Sequence, residues 1–200
     1  MKEGKIMRIL IPIVAVVVVL ESIILVSKLG KNVVTTNVTT DVVEEVEQVR
    51  EPVADFVFET ETKEMKVGKS YQVNLNLVGS KEVNLDAIET YVKYDSDKVT
   101  ISKLTASKDL PQTLKAPKVD TNTGLISAIF LWDVGEIYSI VPDQVIQVLS
   151  FTVTPKVAGE TSISLVEADG TDTSSTLLVE SVTSNKLLFL SNKLEISAVK

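Results

Sequence analysis

The sequence predicts an all-β protein, a nine-stranded jelly-roll β-sandwich preceded by one N-terminal transmembrane helix. Valine, isoleucine, leucine and threonine, which favour strands, dominate the composition. Beyond residue 54, short segments of alternating polarity recur between clusters of turn residues, and no long run with a helical period interrupts them. One apolar stretch near the N-terminus is long enough to cross a bilayer as a helix.

The predicted membrane anchor is residues 9–27. Its apolar stretch, Ile9–Val26, holds fourteen Ile, Leu and Val residues, whose insertion energies outweigh the cost of Glu21 near one end. The basic segment 1–8 before it predicts a cytoplasmic N-terminus, a cell-membrane location with a single span, and an extracytoplasmic domain. A cleaved signal peptide is the alternative, although residues 27–31 show no small-residue cleavage site.

Residues 28–53 are predicted to form an acidic, threonine-rich stalk. Like charges over 41–47 repel one another, which favours an extended chain that holds the domain away from the membrane. A short helix over residues 42–50 is the alternative for this segment.

The β-domain is predicted to cover residues 54–200. Alternation is clearest over Tyr71–Leu77 and over Leu85–Tyr94, where the turn residues Asp95–Asp97 follow and Val99–Ile101 returns as a strand. The irregular stretch 102–117 predicts a surface loop with at most one short strand. The later strands are predicted over Leu125–Trp132, which is apolar on both faces and therefore central, and over Val145–Val153, 163–165, 177–182, 187–190 and 194–198.

The composition excludes several kinds of chemistry. The chain has no Cys and no His, so disulfides, catalysis by these residues and the usual zinc sites are absent. We predict no catalytic residue, no metal site and no cofactor. Residues 32–200 carry 15 basic and 25 acidic side chains, and this acidic balance argues against binding to nucleic acid.

Four segments of the domain resemble the cohesin family, a nine-stranded jelly-roll module. Lys66–Lys69 is similar to that family's Val-Gly-Asp turn, and Tyr94–Ile101 is similar to its Tyr-Asp…Leu-x-Val element. Val148–Val153 resembles its Ala-x-Ile/Leu-x-Phe-x-Val strand, and Ala158–Ile163 resembles its Gly-x-Thr-x-Ile turn and strand. The order and spacing of the four together carry the resemblance.

The resemblance implies a binding module and identifies candidate partner-binding residues. Cohesins bind dockerins, small paired helices loaded with calcium, through a flat sheet face. Family members often place Asn and Asp outward on the strand before Tyr-Asp, where this chain has Ala87 and Glu89. We predict Glu89, Tyr91 and Lys93, on the same outward side, as the partner-binding residues. An exposed Tyr91 would anchor the interface; the alternative is that Tyr91 packs under a loop.

The expected function is therefore that of a membrane-anchored, non-catalytic surface module. Its partner would be a protein, possibly a dockerin-bearing hydrolase or surface component, in a cellulosome-like or polysaccharide-related assembly. A carbohydrate-binding module or adhesin is the alternative, with Trp132, Tyr138 and Tyr91 stacking on sugar rings, although Trp132 is predicted to be a core residue. A third possibility is a structural subunit of a surface appendage.

Two acidic loops are candidates for calcium sites. Asp120, Asn122 and Gly124 resemble a fragment of a calcium loop, but the further carboxylates of a complete loop are missing. Asp, Asn and Gly are also standard turn residues, so a hairpin turn is the favoured interpretation. The same holds for the loop with Glu167, Asp169 and Asp172.

Overall fold

The computed structural model describes residues 51–111, 113–133, 136, 138–167, 174–181 and 183–200. The predicted cytoplasmic segment, the anchor and the stalk up to residue 50 lie outside the described residues. No helix among the described residues is both long enough and apolar enough to cross a membrane. The described chain is an all-β sandwich of two sheets, which confirms the predicted all-β sandwich, but it has fourteen strands and not the predicted nine.

Fourteen strands of two to twelve residues form the described part of the chain. In chain order, they are β1 (Ala54–Thr60), β2 (Glu64–Lys66), β3 (Tyr71–Gly79), β4 (Val83–Tyr94), β5 (Val99–Ala106), β6 (Thr113–Asp120), β7 (Leu125–Leu131), β8 (Tyr138–Ile140), β9 (Val145–Pro155), β10 (Gly159–Leu165), β11 (Leu177–Glu180), β12 (Lys186–Leu187), β13 (Phe189–Ser191) and β14 (Leu194–Val199).

The smaller sheet has the strand order β13-β1-β3-β9-β5. In the larger sheet the path β12-β11-β4-β10-β14-β2 is extended on the other side of β4 by β7 and β8, and β6 pairs with β7. The core lies between the two sheets, because alternate residues of each strand point inward. Its largest fully buried side chains include Phe56, Leu75, Ile88, Phe130 and Phe151.

Strand β4 is the centre of the larger sheet. Along one edge it pairs antiparallel with β10 and β11, and along the other edge with β7 and β8. The ladder with β11 shifts register between Val179 and Glu180. Val179 pairs with Ala87 and Glu180 pairs with Leu85, so Asp86 has no partner in this ladder. This bulge changes the alternation, so that Leu85 and Ile88 both reach the core.

The last part of the chain joins the two sheets. Strand β13 pairs in parallel with β1 in the smaller sheet, and β14 pairs with β10 and β2 in the larger sheet. Asn192, at the crossing, accepts a hydrogen bond from the Phe58 N–H on its side-chain oxygen at 2.8 Å. Its own N–H donates to the Phe56 carbonyl at 3.1 Å. These bonds hold the crossing point against β1.

The predicted loop over residues 102–117 is wrong. Strand β5 continues to Ala106, and β6 runs from Thr113 to Asp120. Both ladders shift register, the first between Ser102 and Thr105 and the second twice within β6. Lys103 lies in the left-handed region with a φ of 48°. Irregular pairing of this kind breaks the period-2 pattern on which the prediction depended.

Gly124 closes the β6–β7 hairpin against the end of β4. Its φ is +63°, and a Cβ at this position would collide with the carbonyl oxygen of Tyr94. The Gly124 carbonyl in turn accepts the Tyr94 N–H at 2.9 Å. Gly68 has a similar φ of +78° but no atom within 4 Å of the position of a Cβ.

We expect Gly124→Ala to lower the free energy of unfolding by clearly more than Gly68→Ala. Both substitutions carry the backbone strain of about 1–2 kcal/mol for a left-handed residue, but only the methyl group added at position 124 would push into β4. Urea denaturation of the two variants measures the difference. Equal losses would contradict the close approach of the hairpin to Tyr94.

Candidate protein-binding face

The candidate site is the outer face of the larger sheet around β4. Residues 87, 89, 91 and 93 of β4 point away from the core, while the alternating Ile88, Val92 and Tyr94 belong to it. We call the outward side of β4, β7 and β11 the outer face. The predicted residues Glu89, Tyr91 and Lys93 all lie on it.

Glu89 and Lys93 lie two rows apart on this face. Glu89 is half-buried and pairs with Ile129 on β7 and Leu177 on β11, so aliphatic residues flank its carboxylate on both sides. It makes no ion pair with a described residue. Lys93 is exposed, and its Nζ donates to the Thr123 carbonyl at 2.6 Å. At about 3.3 Å per residue the two positions are about 13 Å apart.

Tyr91 does not have the exposure that an interface anchor requires, since its side chain is 8% exposed. Burial raises the pKa of its hydroxyl, and the negative charge of Glu89 raises it further. The Tyr91 N–H donates to the Thr176 hydroxyl at 3.1 Å, and that hydroxyl donates to the Tyr91 carbonyl at 3.1 Å. The segment with Thr176 thus lies beside the backbone of β4 at Tyr91.

Aliphatic residues that sequence reasoning did not assign to the site complete the outer face. The central position predicted for β7 is confirmed, because it pairs with β4 and β6. Only one face of β7 is in the core, with Ile126, Ala128 and Phe130. The other face of β7 points outward and carries aliphatic residues. Further outward aliphatic residues lie on β11, along the opposite edge of β4. These residues, which we call the aliphatic band, are Leu125, Ile129, Leu131, Leu177 and Val179.

The aliphatic band is only partly covered. Leu131 is 39% exposed, and the other four members are half-buried. Ala87, where the resemblance places a polar residue, pairs with Leu131 and Val179 and so joins the two halves of the band. The pattern that signals this band in the sequence is the apolar character of both faces of Leu125–Leu131, which is equally typical of a strand buried on both sides.

A polar groove continues the outer face beyond Lys93. It has a volume of about 630 Å³, and its lining includes Lys93, Ser162, Ser164 and Glu195. Lys193 pairs with Glu195 at 3.0 Å in an exposed ion pair. The outer face therefore changes from aliphatic around Glu89 to polar beyond Lys93.

The first acidic loop is a hairpin turn. The Asp120 carboxylate accepts the N–H groups of Asn122 at 3.0 Å and Thr123 at 3.4 Å. These two bonds hold the pKa of the Asp120 carboxyl below its usual value. Across the described residues, no cluster of three or more His, Cys, Asp and Glu could hold a metal ion. Glu167 accepts the Ser191 hydroxyl at 2.6 Å, whereas Asp169 and Asp172 lie outside the described residues.

The aromatic residues considered for sugar stacking contact each other instead. Trp132 and Tyr138 are stacked, with ring centroids 4.8 Å apart and an interplanar angle of 23°. Both pack against the core and are partly buried. One ring face of each is thus covered within the protein, and Trp132 packs against the core without being fully buried as a core residue would be.

Comparison with protein families gives one match. The family described as "Cohesin domain" matches residues 56–187, which is about two thirds of the chain. No curated protein matches the chain significantly.

Solved structures with the same fold come from bacteria and from an archaeon. A cohesin module of a family 33 glycoside hydrolase from Clostridium perfringens is 13% identical with a TM-score of 0.53, covering 74% of this chain and 98% of that one. The third ScaC cohesin of Acetivibrio cellulolyticus, solved with the ScaB dockerin, is 15% identical with a TM-score of 0.56. The match covers 74% of this chain and 98% of the ScaC cohesin. A non-cellulosomal cohesin of Archaeoglobus fulgidus is 11% identical with a TM-score of 0.52. The match covers 74% of this chain and 91% of the archaeal chain. At these identities the likeness concerns the fold.

We expect the destabilisation caused by Asp120→Ala to decrease as the pH falls. A carboxyl with a lowered folded pKa contributes stability that is present above its unfolded pKa of about 4 and is lost as the pH falls through the folded pKa. Urea denaturation of the unsubstituted protein and of the Asp120→Ala variant, at about pH 7 and about pH 3, measures how the difference in their free energies of unfolding changes with pH. If the difference in free energy of unfolding is the same at both pH values, the Asp120 charge does not stabilise the turn.

Proposed function

Because this chain belongs to the cohesin family, we propose that the outer face of its larger sheet binds a dockerin-type protein. Cohesin domains are non-catalytic scaffolding modules, and this chain is accordingly not an enzyme. Several of the similar structures, including the ScaC cohesin and the OlpA and OlpC cohesins of Clostridium thermocellum, are complexes with a dockerin. The proposal transfers that class of partner to this chain.

The observation that carries the proposal is the carboxylate of Glu89 inside the aliphatic band. Partly exposed aliphatic residues side by side on a sheet face favour a protein partner, which would remove them from water. Glu89, held between Ile129 and Leu177, has no ion pair among the described residues. A basic side chain of the partner would pair with it at the centre of the contact, where partner binding also strengthens the charge interaction.

The chemistry of the face defines what the partner must present. Opposite Glu89 we expect apolar residues around one basic group, and opposite Lys93 an acidic or polar group. Ala87 replaces the outward Asn that family members often carry, so this contact depends on apolar burial more than on a hydrogen bond from that position. Tyr91 supports the face from within, because its side chain is almost completely buried.

We expect Glu89→Lys and Leu131→Asp each to raise the Kd for the partner by about tenfold or more, which corresponds to about 1.4 kcal/mol. The first reverses the central charge, and the second places a charge in the aliphatic band. Calorimetric titration of the full chain in detergent with a calcium-loaded dockerin module measures both values.

The control variants are Glu59→Lys and Val157→Asp. Glu59 is exposed on the smaller sheet and Val157 is exposed in the turn between β9 and β10, so both changes match the test variants in chemistry but lie away from the outer face. Equal losses of affinity in all four variants would refute this binding face. No binding to any dockerin, with or without calcium, would refute the class of partner.

We also propose that residues 9–27 anchor the chain in the cell membrane, with the domain on the extracytoplasmic side. This rests on the apolar stretch and on the basic residues before it. Added protease is expected to digest the domain on intact cells, while a tag fused to residue 1 remains protected. Release of the full-length domain into the medium would support a cleaved signal peptide instead.

A further inference from the structure

A groove lies beside the second half of β1, away from the outer face. Strand β13 pairs with β1 only from Ala54 to Phe56, and the chain leaves the smaller sheet at Asn192. Beyond Phe58, whose N–H is bound by the Asn192 side chain, no described strand pairs with this edge of β1. The groove lined by this part of β1, which we call the edge groove, has a volume of about 640 Å³.

The lining of the edge groove is mostly polar. Its two apolar members, Phe58 and Leu194, are 5% and 2% exposed. The polar members come from β1, from the turn after it and from β3, and they are Glu59, Thr60, Glu61, Lys63, Gln72 and Asn74. Ligand sites commonly have a volume of about 300–1,000 Å³, and a lining with so many polar groups suits a ligand that forms many hydrogen bonds.

A carboxylate and an amide stand side by side in this groove. Glu59 pairs with Asn74 across β1 and β3, so the two side chains are neighbours on the outward side of the sheet. Glu59 makes no ion pair with a described residue. Its carboxylate can therefore accept hydrogen bonds from a ligand at a position where Asn74 can donate one.

Hydrogen bonds between side chains orient the amides before a ligand arrives. Gln72 Nε2 donates to Asn74 Oδ1 at 3.3 Å and to Ser150 Oγ at 3.1 Å. Asn74 thus keeps its Nδ2 group as a donor, and Gln72 keeps its Oε1 atom as an acceptor. A polar group that is already oriented loses less entropy when a ligand binds.

Thr60 adds a hydroxyl group that lacks a partner. The residue lines the groove, and its Oγ1 is buried without a hydrogen-bond partner among the described residues. A buried polar atom of this kind is unfavourable in the free protein. Rotation of the side chain to another staggered position would present the hydroxyl to the groove, where a ligand would supply the missing bond.

We propose that the edge groove binds a short stretch of a neutral glycan. Neighbouring hydroxyl groups of a sugar ring can each donate and accept. One of them would donate to the Glu59 carboxylate while the next accepts from Asn74 Nδ2, and hydrogen bonds to a carboxylate are the stronger kind. The groove lies apart from the outer face, so this proposal does not depend on partner binding.

Other classes of ligand fit the groove less well. The free edge of β1 from Phe58 to Thr60 is about 7 Å long, which is shorter than a typical strand and so gives an added peptide strand little to pair with. Glu59 and Glu61 outnumber the one lysine of the lining and would repel phosphate groups and acidic sugars.

Native affinity electrophoresis tests the proposal with the full chain in a detergent that has no sugar headgroup. The gels contain β-glucan, xylan or galactomannan as soluble neutral polysaccharides, and polygalacturonate as an acidic one. At least one neutral polysaccharide is expected to retard the chain with a Kd on the order of 1 mM, and polygalacturonate is not. The binding is weak because Phe58, the aromatic residue of the groove, is almost completely buried.

Matched variants locate the binding in the groove. Glu59→Lys and Asn74→Ala are each expected to raise the Kd about fivefold or more, because each removes a hydrogen bond to the sugar. The controls Glu82→Lys and Asn185→Ala make the same changes at exposed positions in the β3–β4 and β11–β12 turns. They should leave the Kd unchanged.

Thr60→Val separates binding from stability. Because the lost hydroxyl has no partner in the free protein, the free energy of unfolding in urea is expected to stay the same or rise, while the Kd for the glycan rises. A lower free energy of unfolding with an unchanged Kd would contradict the role of Thr60 in binding.

Two outcomes of the electrophoresis would overturn the proposal. Equal retardation of the test and control variants would show that the glycan binds elsewhere. Failure of all three neutral polysaccharides to retard the chain, or retardation by polygalacturonate alone, would exclude a neutral glycan as the ligand. Dockerin binding is measured separately and Glu59→Lys is expected to leave it unchanged, so the two proposals fail independently.

Discussion

The antiparallel pairing of β4 along both of its edges is the constraint on which the rest of the domain depends. This twelve-residue strand is hydrogen-bonded to four other strands, so its register fixes which residues of β7, β10 and β11 face the core. A shift of one residue would turn Ile88 and Val92 outward and bring Glu89 into the core. The cost of burying that carboxylate excludes the alternative register. The same alternation that buries the core therefore places Glu89 and Lys93 outside it.

The parts of this fold that could be predicted from the sequence are those with regular alternation. Strands β3, β4 and β9 follow that pattern for most of their length, and the Asp120–Gly124 hairpin follows from turn chemistry. The irregular registers of β5 and β6 leave no such pattern, so the full extent of β5 and the whole of β6 could not be recognised. The bulge at Asp86 has no local signal either, because it is set by pairing with a strand about ninety residues away.

The candidate site could be predicted only in part, for a related reason. Alternation places Glu89, Tyr91 and Lys93 on one side of β4, and the structure has them on that side. Alternation does not reveal what packs over an outward residue, and Tyr91 is almost completely buried although it lies on the outward side of β4. The aliphatic band illustrates the opposite error. An apolar residue such as Leu131 looks the same in sequence whether the protein's own core or another molecule covers it.

The crossing of the final strand between the sheets has a consequence for biosynthesis. Until residues 189–199 are available, the smaller sheet lacks its edge strand β13, and the larger sheet lacks β14, the strand that joins β10 to β2. The smaller sheet can therefore be completed only after residue 191 has been synthesised, and the larger sheet only after residue 199. Until then the paired strands expose part of the core, and β1, the first strand, lacks its neighbour β13 from near the end of the chain.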